Sequence, residues 1–359
     1  MQPGPLHLLA GAAVASYDPH ARSYNAPCWS SSRPHHQAAR RALACLAEAD
    51  ADLRAAAVHL HRTTAPGEMF HPLVAALDGL PPALRQQALD HGRRLADGIR
   101  LLFHATDARL RPPRPTGGPP SDRGDRRILV VVPFRSTGVQ PLRLRNLRAC
   151  LTALDRLRPV PGVELTVCLV ESDTEPRHRT EFEPRVDRYL FVPDGGPFNK
   201  ALAVNTAVLP GGPGAPGESV CVLDADIVLE PDFLAAAPAA VPPGGALLPY
   251  QDAFCLDERS SDRMAALVDR DDGPDGPWSG YLIRRPPGGC VLVDRSAFHA
   301  VGGFDERFVG WGGEDRDLVD RLAARAEVTR LPGFLVHLMH ERPAMREDRA
   351  QTMAAARQR

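Results

Sequence analysis

Apolar and polar positions change their period three times along the chain. An almost unbroken apolar stretch, Leu8 to Ala15, lies within the first seventeen residues, Met1 to Tyr17. From residue 35 to about 110 the pattern is helical: Ala39, Leu43, Leu46, Leu53, Ala57 and Leu60 fall on one face, and a second amphipathic run spans Leu84 to Leu110. Pro81 and Pro82 stand at the start of that second run, where a missing N–H is no loss. Arg111 to Arg127 has no apolar period and holds five prolines, which predicts a linker. Beyond it, short apolar runs alternate with helical ones: Ile128–Phe134, Leu142–Leu157, Val163–Val170, Tyr189–Val192, Phe198–Leu209 and Val220–Leu223. Strands alternating with helices of this length predict an α/β domain with a mostly parallel central sheet flanked by helices. The expected organisation is a helical N-terminal region over 1–110, a linker over 111–127, the α/β domain over 128–343 and a tail over 344–359.

Composition narrows the function classes. The 359 residues are 43% apolar and 24% charged with a formal net charge of -1, so bulk charge points to no polyanionic partner and no nucleic acid. Nowhere do the ~18 consecutive apolar residues of a membrane span occur, so no integral membrane segment is expected. Leu8–Ala15 has no Lys or Arg before it and is followed by Asp18 and His20, which is not the form of a secretory signal. The seven cysteines make no CxxC and are odd in number, which reads as reduced thiols in a cytoplasmic protein. Arginine dominates the basic residues, and Lys200 is the single lysine. A GC-rich coding sequence accounts for that bias together with the 36 prolines and 30 glycines, and it leaves Lys200 as a position to explain.

Open α/β sheets bind ligands at the carboxyl ends of their strands, so the residues there carry the candidate chemistry. The first strand delivers Pro133, Phe134 and Arg135, the second Glu171 and Asp173, and the fourth Asp224 and Asp226. Carboxylates at i and i+2 share a face of an extended segment and can reach one cation where the strand turns, although acids also cap helices. Asn199 and Lys200 open the helix "PFNKALAVNTAV", where an ammonium opposes the helix dipole. Such a lysine is either solvated or shares an anion, such as a diphosphate, with the helix N-terminus. Gly288, Gly289, Gly302, Gly303, Gly310, Gly312 and Gly313 surround Trp311, Glu314 and Asp315, which suits close backbone approach to a ligand and stacking of a sugar ring on the indole. Glu314 and Asp315 also suit the start of the helix that follows. His337 and His340 close the last apolar run, and with Asp224 and Asp226 they would form a mixed O/N site suited to Mn²⁺.

Taken in order, "PFR", "FNKA", "DAD", the Gly288–Gly289 pair, "GGFDERFVGWGGED" and "HLMH" resemble the inverting β-1,4-galactosyltransferases and the related chondroitin-polymerase-like enzymes. The resemblance spans Ile128 to about Pro343 and implies the GT-A nucleotide-sugar fold. It implies that Pro133, Phe134, Arg135, Glu171, Asn199, Lys200 and Asp224 hold uridine diphosphate, and that Asp224, Asp226, His337 and His340 bind Mn²⁺, or Mg²⁺ in its place. It further implies that Gly288, Gly289, Trp311, Gly312 and Gly313 line the sugar pockets together with Glu314, and that Asp315 and Glu314 are the catalytic residues, with Asp315 as the base. The expected activity is transfer of a hexose (galactose, GalNAc, GlcNAc or a relative) from a UDP-sugar to an acceptor hydroxyl with inversion. The acceptor would be a small metabolite, a glycan, a lipid-linked sugar or a peptide. The chain departs from the family pattern in having Lys200 where some members have Arg, His337 where many have Met, and Pro286–Pro287 where galactosyltransferases commonly carry an aromatic residue.

Two other functions fit the fold less well. A sugar-nucleotide nucleotidyltransferase would need a glycine-rich basic loop after the first strand, and "PFRSTGVQPLR" is a poor one. A non-catalytic sugar-binding module would not need Asp224, Asp226, Glu314, Asp315, His337 and His340 together. Retaining enzymes of the polypeptide GalNAc-transferase type share the Trp-Gly-Gly-Glu run but usually carry Asp-x-His in place of "DAD".

Overall fold

The computed structural model describes residues 3–107, 126–136, 140–157, 163–215, 217–229, 233, 241–268, 276–310 and 312–341. Trp311, the tail expected over 344–359 and nearly all of the expected linker lie outside them. The chain opens with helices α1 (Pro5–Tyr17), α2 (Pro19–Tyr24), α3 (Ala26–Ala49), α4 (Ala51–Arg62), α5 (Phe70–Asp78) and α6 (Pro82–Leu95), followed by strand β1 (Leu101–Thr106). Next come β2 (Arg126–Phe134), α7 (Pro141–Leu157), β3 (Val163–Asp173), α8 (Arg179–Phe182), β4 (Arg188–Pro193), α9 (Lys200–Val208), β5 (Glu218–Leu223) and β6 (Ile227–Val228). The remainder comprises β7 (Ala246–Leu248), β8 (Asp252–Leu256), α10 (Glu258–Val268), β9 (Trp278–Arg284), β10 (Cys290–Asp294), α11 (Arg295–Ala300), α12 (Glu314–Ala323), β11 (Val328–Arg330) and β12 (Phe334–His337).

These elements form two units. The first holds residues 1–110 with 252–264 and 273–286. The apolar stretch near the start of the chain is α1, whose residues from Leu8 to Ala15 are all buried, against α3, α5, α6 and β1. Gly11 lets that helix close on β1, because a Cβ there would fall 2.2 Å from the Phe103 carbonyl oxygen. The second amphipathic run does not stay helical to Leu110. It ends at Leu95, and Leu101–Thr106 is instead a strand paired antiparallel with β9 from Leu101↔Ile283 to Thr106↔Trp278. The consecutive buried residues Leu101, Leu102 and Phe103 are inward on both faces, a pattern that a strand between two layers satisfies and a one-sided helix does not. β9 also pairs antiparallel with β8, so segments from late in the sequence complete this unit. Arg284 is 8% exposed and pairs at 3.3 Å with Asp252, which is fully buried, and it donates to the Ala96 carbonyl at 2.8 Å.

The second unit is α/β, as the alternation of runs predicts. Its seven-stranded sheet has the order β11-β7-β10-β5-β2-β3-β4. β5, β2, β3 and β4 are mutually parallel, β10 is antiparallel to β5 and β7, and β11 is parallel to β7. Ile128 to Val132 are buried in succession, as expected of a central strand covered on both faces. A separate short ladder pairs β6 with β12 antiparallel, Ile227 opposite His337 and Val228 opposite Val336. All seven cysteines are free thiols, five of them buried. Among the described residues no helix is long and apolar enough to cross a membrane.

Candidate functional site

The β6–β12 ladder sets the first cluster. β5 ends at Leu223, the chain turns through Asp224 and Asp226, and pairing with β12 carries His337 alongside; the Leu338 amide donates to the Asp226 carbonyl at 2.8 Å. His337 Nε2 lies 3.5 Å from Asp226 Oδ1, and His340 Nε2 lies 3.2 Å from Asp226 Oδ2. One ligand atom from each of the three residues falls within 4.8 Å of the others. A carboxylate oxygen with two imidazole nitrogens suits a divalent first-row ion such as Mn²⁺ and leaves coordination positions for another ligand. The fourth expected ligand, Asp224, is not in this set; its Oδ1 pairs instead with the Lys200 ammonium at 2.6 Å.

Lys200 forms the second cluster. It is the first residue of α9, whose N-cap Asn199 accepts from the Leu202 amide at 2.9 Å. Its side chain is 8% exposed, and its Nζ lies 2.6 Å from Asp224 Oδ1 and 2.9 Å from Asp315 Oδ1. The anion that a lysine at a helix start calls for is therefore supplied by the protein itself, from two separate elements. Burial works against the ammonium, but Asp224, Asp315 and Glu314 outweigh it and hold the Lys200 pKa well above its ordinary value. Asp224 moves the other way: desolvation, reinforced by Asp315 and Asp226, pushes its carboxyl up to about 7 against the pull of Lys200. Glu314, buried in the first turn of α12, is likewise raised to about 7, by desolvation first and then by Asp315. Three carboxyl groups thus act on one ammonium, two of them in direct contact with it.

Glycines shape the approach to Asp315. A Cβ on Gly288 would fall 1.9 Å from Asp315 Oδ2, so the carboxylate occupies the space a side chain would take. Gly288 is fixed in turn by Tyr250, a buried phenol that donates to the Gly288 carbonyl at 2.6 Å. Gly289, at φ 99°, accepts the Asp224 amide on its carbonyl at 2.9 Å. Gly312 and Gly313, at φ 99° and 104°, carry the chain into α12 through a conformation open to glycine. Trp311, expected at the sugar pocket, lies outside the described residues.

The edge of β2, β3 and β4 places the remaining expected residues. Pro133 and Phe134 end β2 in register with Val170 and Glu171. Arg135 donates to the carbonyls of Gly196 at 2.6 Å and Asp194 at 3.0 Å, and so braces the loop that leads into α9. Glu171 is shut in at 1% exposure: it accepts from the Tyr189 hydroxyl and, at 3.3 Å, from the His178 amide, so its carboxylate faces protein donors and not an open site. Asn199 donates to the Glu306 carbonyl at 2.8 Å.

Several residues that act at the site lie outside the motifs of the sequence. Asn205 on α9 accepts from the Phe304 amide and donates to its carbonyl, both at 2.9 Å, which anchors the segment before the glycine-flanked loop. Asn146 on α7 and Tyr250 hold the backbone of the histidine turn and of Gly288. Ser136 and Ser172 are buried at the ends of β2 and β3, their hydroxyls without partners among the described residues. For the two asparagines a signal existed: Asn205 continues the inward stripe of Ala201, Val204 and Val208, and Asn146 that of Ala149, Cys150 and Ala153. A buried amide on an apolar stripe needs hydrogen-bond partners, and they come from a neighbouring loop.

Residues 281–342 match the family described as the N-terminal domain of galactosyltransferase. That span holds Gly288, Gly289, Glu314, Asp315, His337 and His340. Among solved structures, the chain is similar to the catalytic domain of Drosophila beta1,4galactosyltransferase 7 in complex with xylobiose, at 18% identity and TM-score 0.36, over 57% of this chain. The match covers 65% of that structure, just under two thirds of its length. GalNAc-T7 with UDP, GalNAc and Mn²⁺ is similar at 13% identity and TM-score 0.38, over 61% of this chain and 45% of that one. So is 4-diphosphocytidyl-2C-methyl-D-erythritol synthase, at 12% identity and TM-score 0.36, over 64% of this chain and 98% of that one. No curated protein matches the chain.

Proposed function

We propose that this protein is a metal-dependent glycosyltransferase of the GT-A type that moves a hexose from a UDP-sugar to an acceptor hydroxyl with inversion. The observation that carries the reading is the pair of clusters on one turn: Asp226 with His337 and His340, and, two residues earlier, Asp224 with Lys200 and Asp315. The galactosyltransferase-domain match supports it, since it spans Asp315 and both histidines, while Asp224 and Asp226 lie outside it. Asp226, His337 and His340 would hold Mn²⁺. A divalent cation bound there would act as a Lewis acid toward the negative charge of a departing diphosphate.

The chain's own residues account for the rest. In a single displacement the acceptor oxygen bonds to the anomeric carbon, the bond from that carbon to the diphosphate oxygen breaks with its electron pair, and the acceptor proton passes to a carboxylate. Asp315 is that base. Lys200 holds its Oδ1 at 2.9 Å, and the missing side chain of Gly288 leaves room for its Oδ2. Lys200 also offers positive charge near the scissile bond, with Arg135 ordering the loop before it. Pro133, Phe134 and Asn199 would flank the nucleotide end, and Gly289, Gly312 and Gly313 the sugars. Galactose, GalNAc and GlcNAc are the donors to screen, with acceptors drawn from small metabolites, glycans, lipid-linked sugars and peptides.

The test is calorimetric titration of UDP into the protein with and without Mn²⁺, repeated on Asp226→Ala. Metal-dependent binding that the variant loses supports the reading. Absence of UDP binding in both conditions refutes it. With a donor in hand, NMR of the product's anomeric proton reports inversion or retention.

A further inference from the structure

We propose that the first two turns of α7 are a shelf that sets the position of the histidine turn, with Asn146 as its central positioning residue; this rests on the metal-site reading above. Asn146 is 1% exposed on the inward stripe of α7. Its amide is saturated in one direction. Nδ2 donates to the Met339 carbonyl at 3.1 Å, while Oδ1 accepts from Arg145 Nε at 3.0 Å and Nη2 at 2.8 Å. Arg145 Nη2 also donates to the Met339 carbonyl, at 2.9 Å. The three groups close a triangle in which guanidinium and amide orient each other and both hold one oxygen.

That oxygen matters because of where it sits. The Met339 carbonyl belongs to the peptide plane that leads into His340, and a peptide plane is rigid. Fixing the oxygen fixes that plane and the point from which the His340 ring departs. Two further bonds on the same segment act with it: the Leu338 amide to the Asp226 carbonyl at 2.8 Å, and Arg143 Nη2 to the Glu341 carbonyl at 3.3 Å. One turn further along α7, Cys150 Sγ lies 3.9 Å from the Asp224 carbonyl. A single helix therefore touches the backbone of both turns that supply the acid and the imidazoles. First-row metal sites hold their ligands to within about 0.2 Å, and outer groups that orient ligands typically change metal affinity by about 10- to 100-fold.

Asn146→Asp keeps the size of the side chain and the acceptor for Arg145 but removes the N–H that holds Met339. Mn²⁺ binding is measured on the full-length protein without nucleotide, from the loss of the free-ion electron paramagnetic resonance signal, beside the melting temperature. The expected result is Mn²⁺ affinity weaker by roughly 10- to 100-fold in Asn146→Asp. Arg145→Met, at a half-buried position, should show a smaller loss in the same direction, and it carries the test if Asn146→Asp does not fold. Asp226→Ala is the control that should abolish binding. Folded variants at both positions that bind Mn²⁺ within twofold of the parent would overturn the shelf. A parent protein that binds no Mn²⁺ would overturn the metal-site reading itself, and the shelf with it.

Discussion

Removing the Lys200 ammonium should expose the electrostatic design of the site. In Lys200→Met the apolar stem is kept and the charge is lost. Asp224 and Asp315, which each lie within 2.9 Å of Nζ, then face one another without a counter-ion. Breaking a buried ion pair from one side costs about 3 to 5 kcal/mol. Because the side chains of Asp224 and Asp315 keep 29% and 19% exposure, water relieves part of the strain, and the low end, about 3 kcal/mol, is the appropriate figure. For a unit of this size about 3 kcal/mol corresponds to a fall in melting temperature of roughly 6 to 12 °C.

The loss should depend on pH in a defined direction. Asp224 is already raised to about 7 with Lys200 in place, and without it the carboxyl moves further up. Below that range the carboxyl takes a proton and no longer needs a cation, so the share of the penalty that Asp224 carries is present at pH 8 and largely gone at pH 5. The assay is differential scanning fluorimetry of parent, Lys200→Met and Lys200→Met/Asp224→Asn in EDTA at both pH values. The double variant should recover at least half of the loss at pH 8, since it removes one of the two stranded charges. An equal fall at pH 5 and pH 8, or no recovery in the double variant, would show that Lys200 acts through packing and would refute the charge argument.

Three other outcomes follow from the same geometry. Asp315→Asn should lower turnover by about 10² to 10⁴ while UDP and Mn²⁺ binding stay intact, as single-turnover kinetics beside calorimetry would show; parental turnover would dismiss it as the base. Gly288→Ala places a Cβ 1.9 Å from Asp315 Oδ2, so the carboxylate must move, and turnover should fall on the order of 10² with Mn²⁺ affinity unchanged. Glu314, raised from 4.5 to about 7, stays protonated in the fold where the unfolded chain would ionise, so its share of stability falls as pH rises through that window, by up to roughly 3 kcal/mol. Glu314→Gln should remove that share of the parent's loss between pH 5 and pH 8, and an unchanged melting profile would count against it.

Periodicity made the α/β unit legible because β2, β3 and β5 carry runs of consecutive buried residues and an amphipathic helix, α7, separates the first two. Val163–Val170 and Val220–Leu223 fall within β3 and β5, and Leu142–Leu157 within α7. It misread Leu101–Thr106, since a strand completed by residues 278–284 depends on a partner far away in sequence. At the site, residue type indicated chemistry while pairing stayed hidden. Asp224 and Asp226 look equivalent in "DAD", yet one turns to Lys200 and the other to the histidines. Alternation cannot show that divergence, because it arises where β5 ends and β6 starts a different ladder. Glu171 reads as a strand-end acid like the others, and only the fold brings Tyr189 across from β4 to close it off.

The single lysine of the chain is intelligible on these terms. With one lysine among 43 basic residues, compositional drift has favoured arginine everywhere else. A guanidinium is a planar fork that suits one carboxylate bound through two parallel bonds, whereas an ammonium is a compact charge with three donors. At position 200 the acceptors are Oδ1 of Asp224, after β5, and Oδ1 of Asp315, on α12, at 2.6 and 2.9 Å from one nitrogen. Two acids converging on a point from different elements match the ammonium and not the fork. The same convergence ties the turn that supplies Asp226 to the helix that supplies Asp315, so the candidate metal ligand and the candidate base are held to a common centre by one side chain.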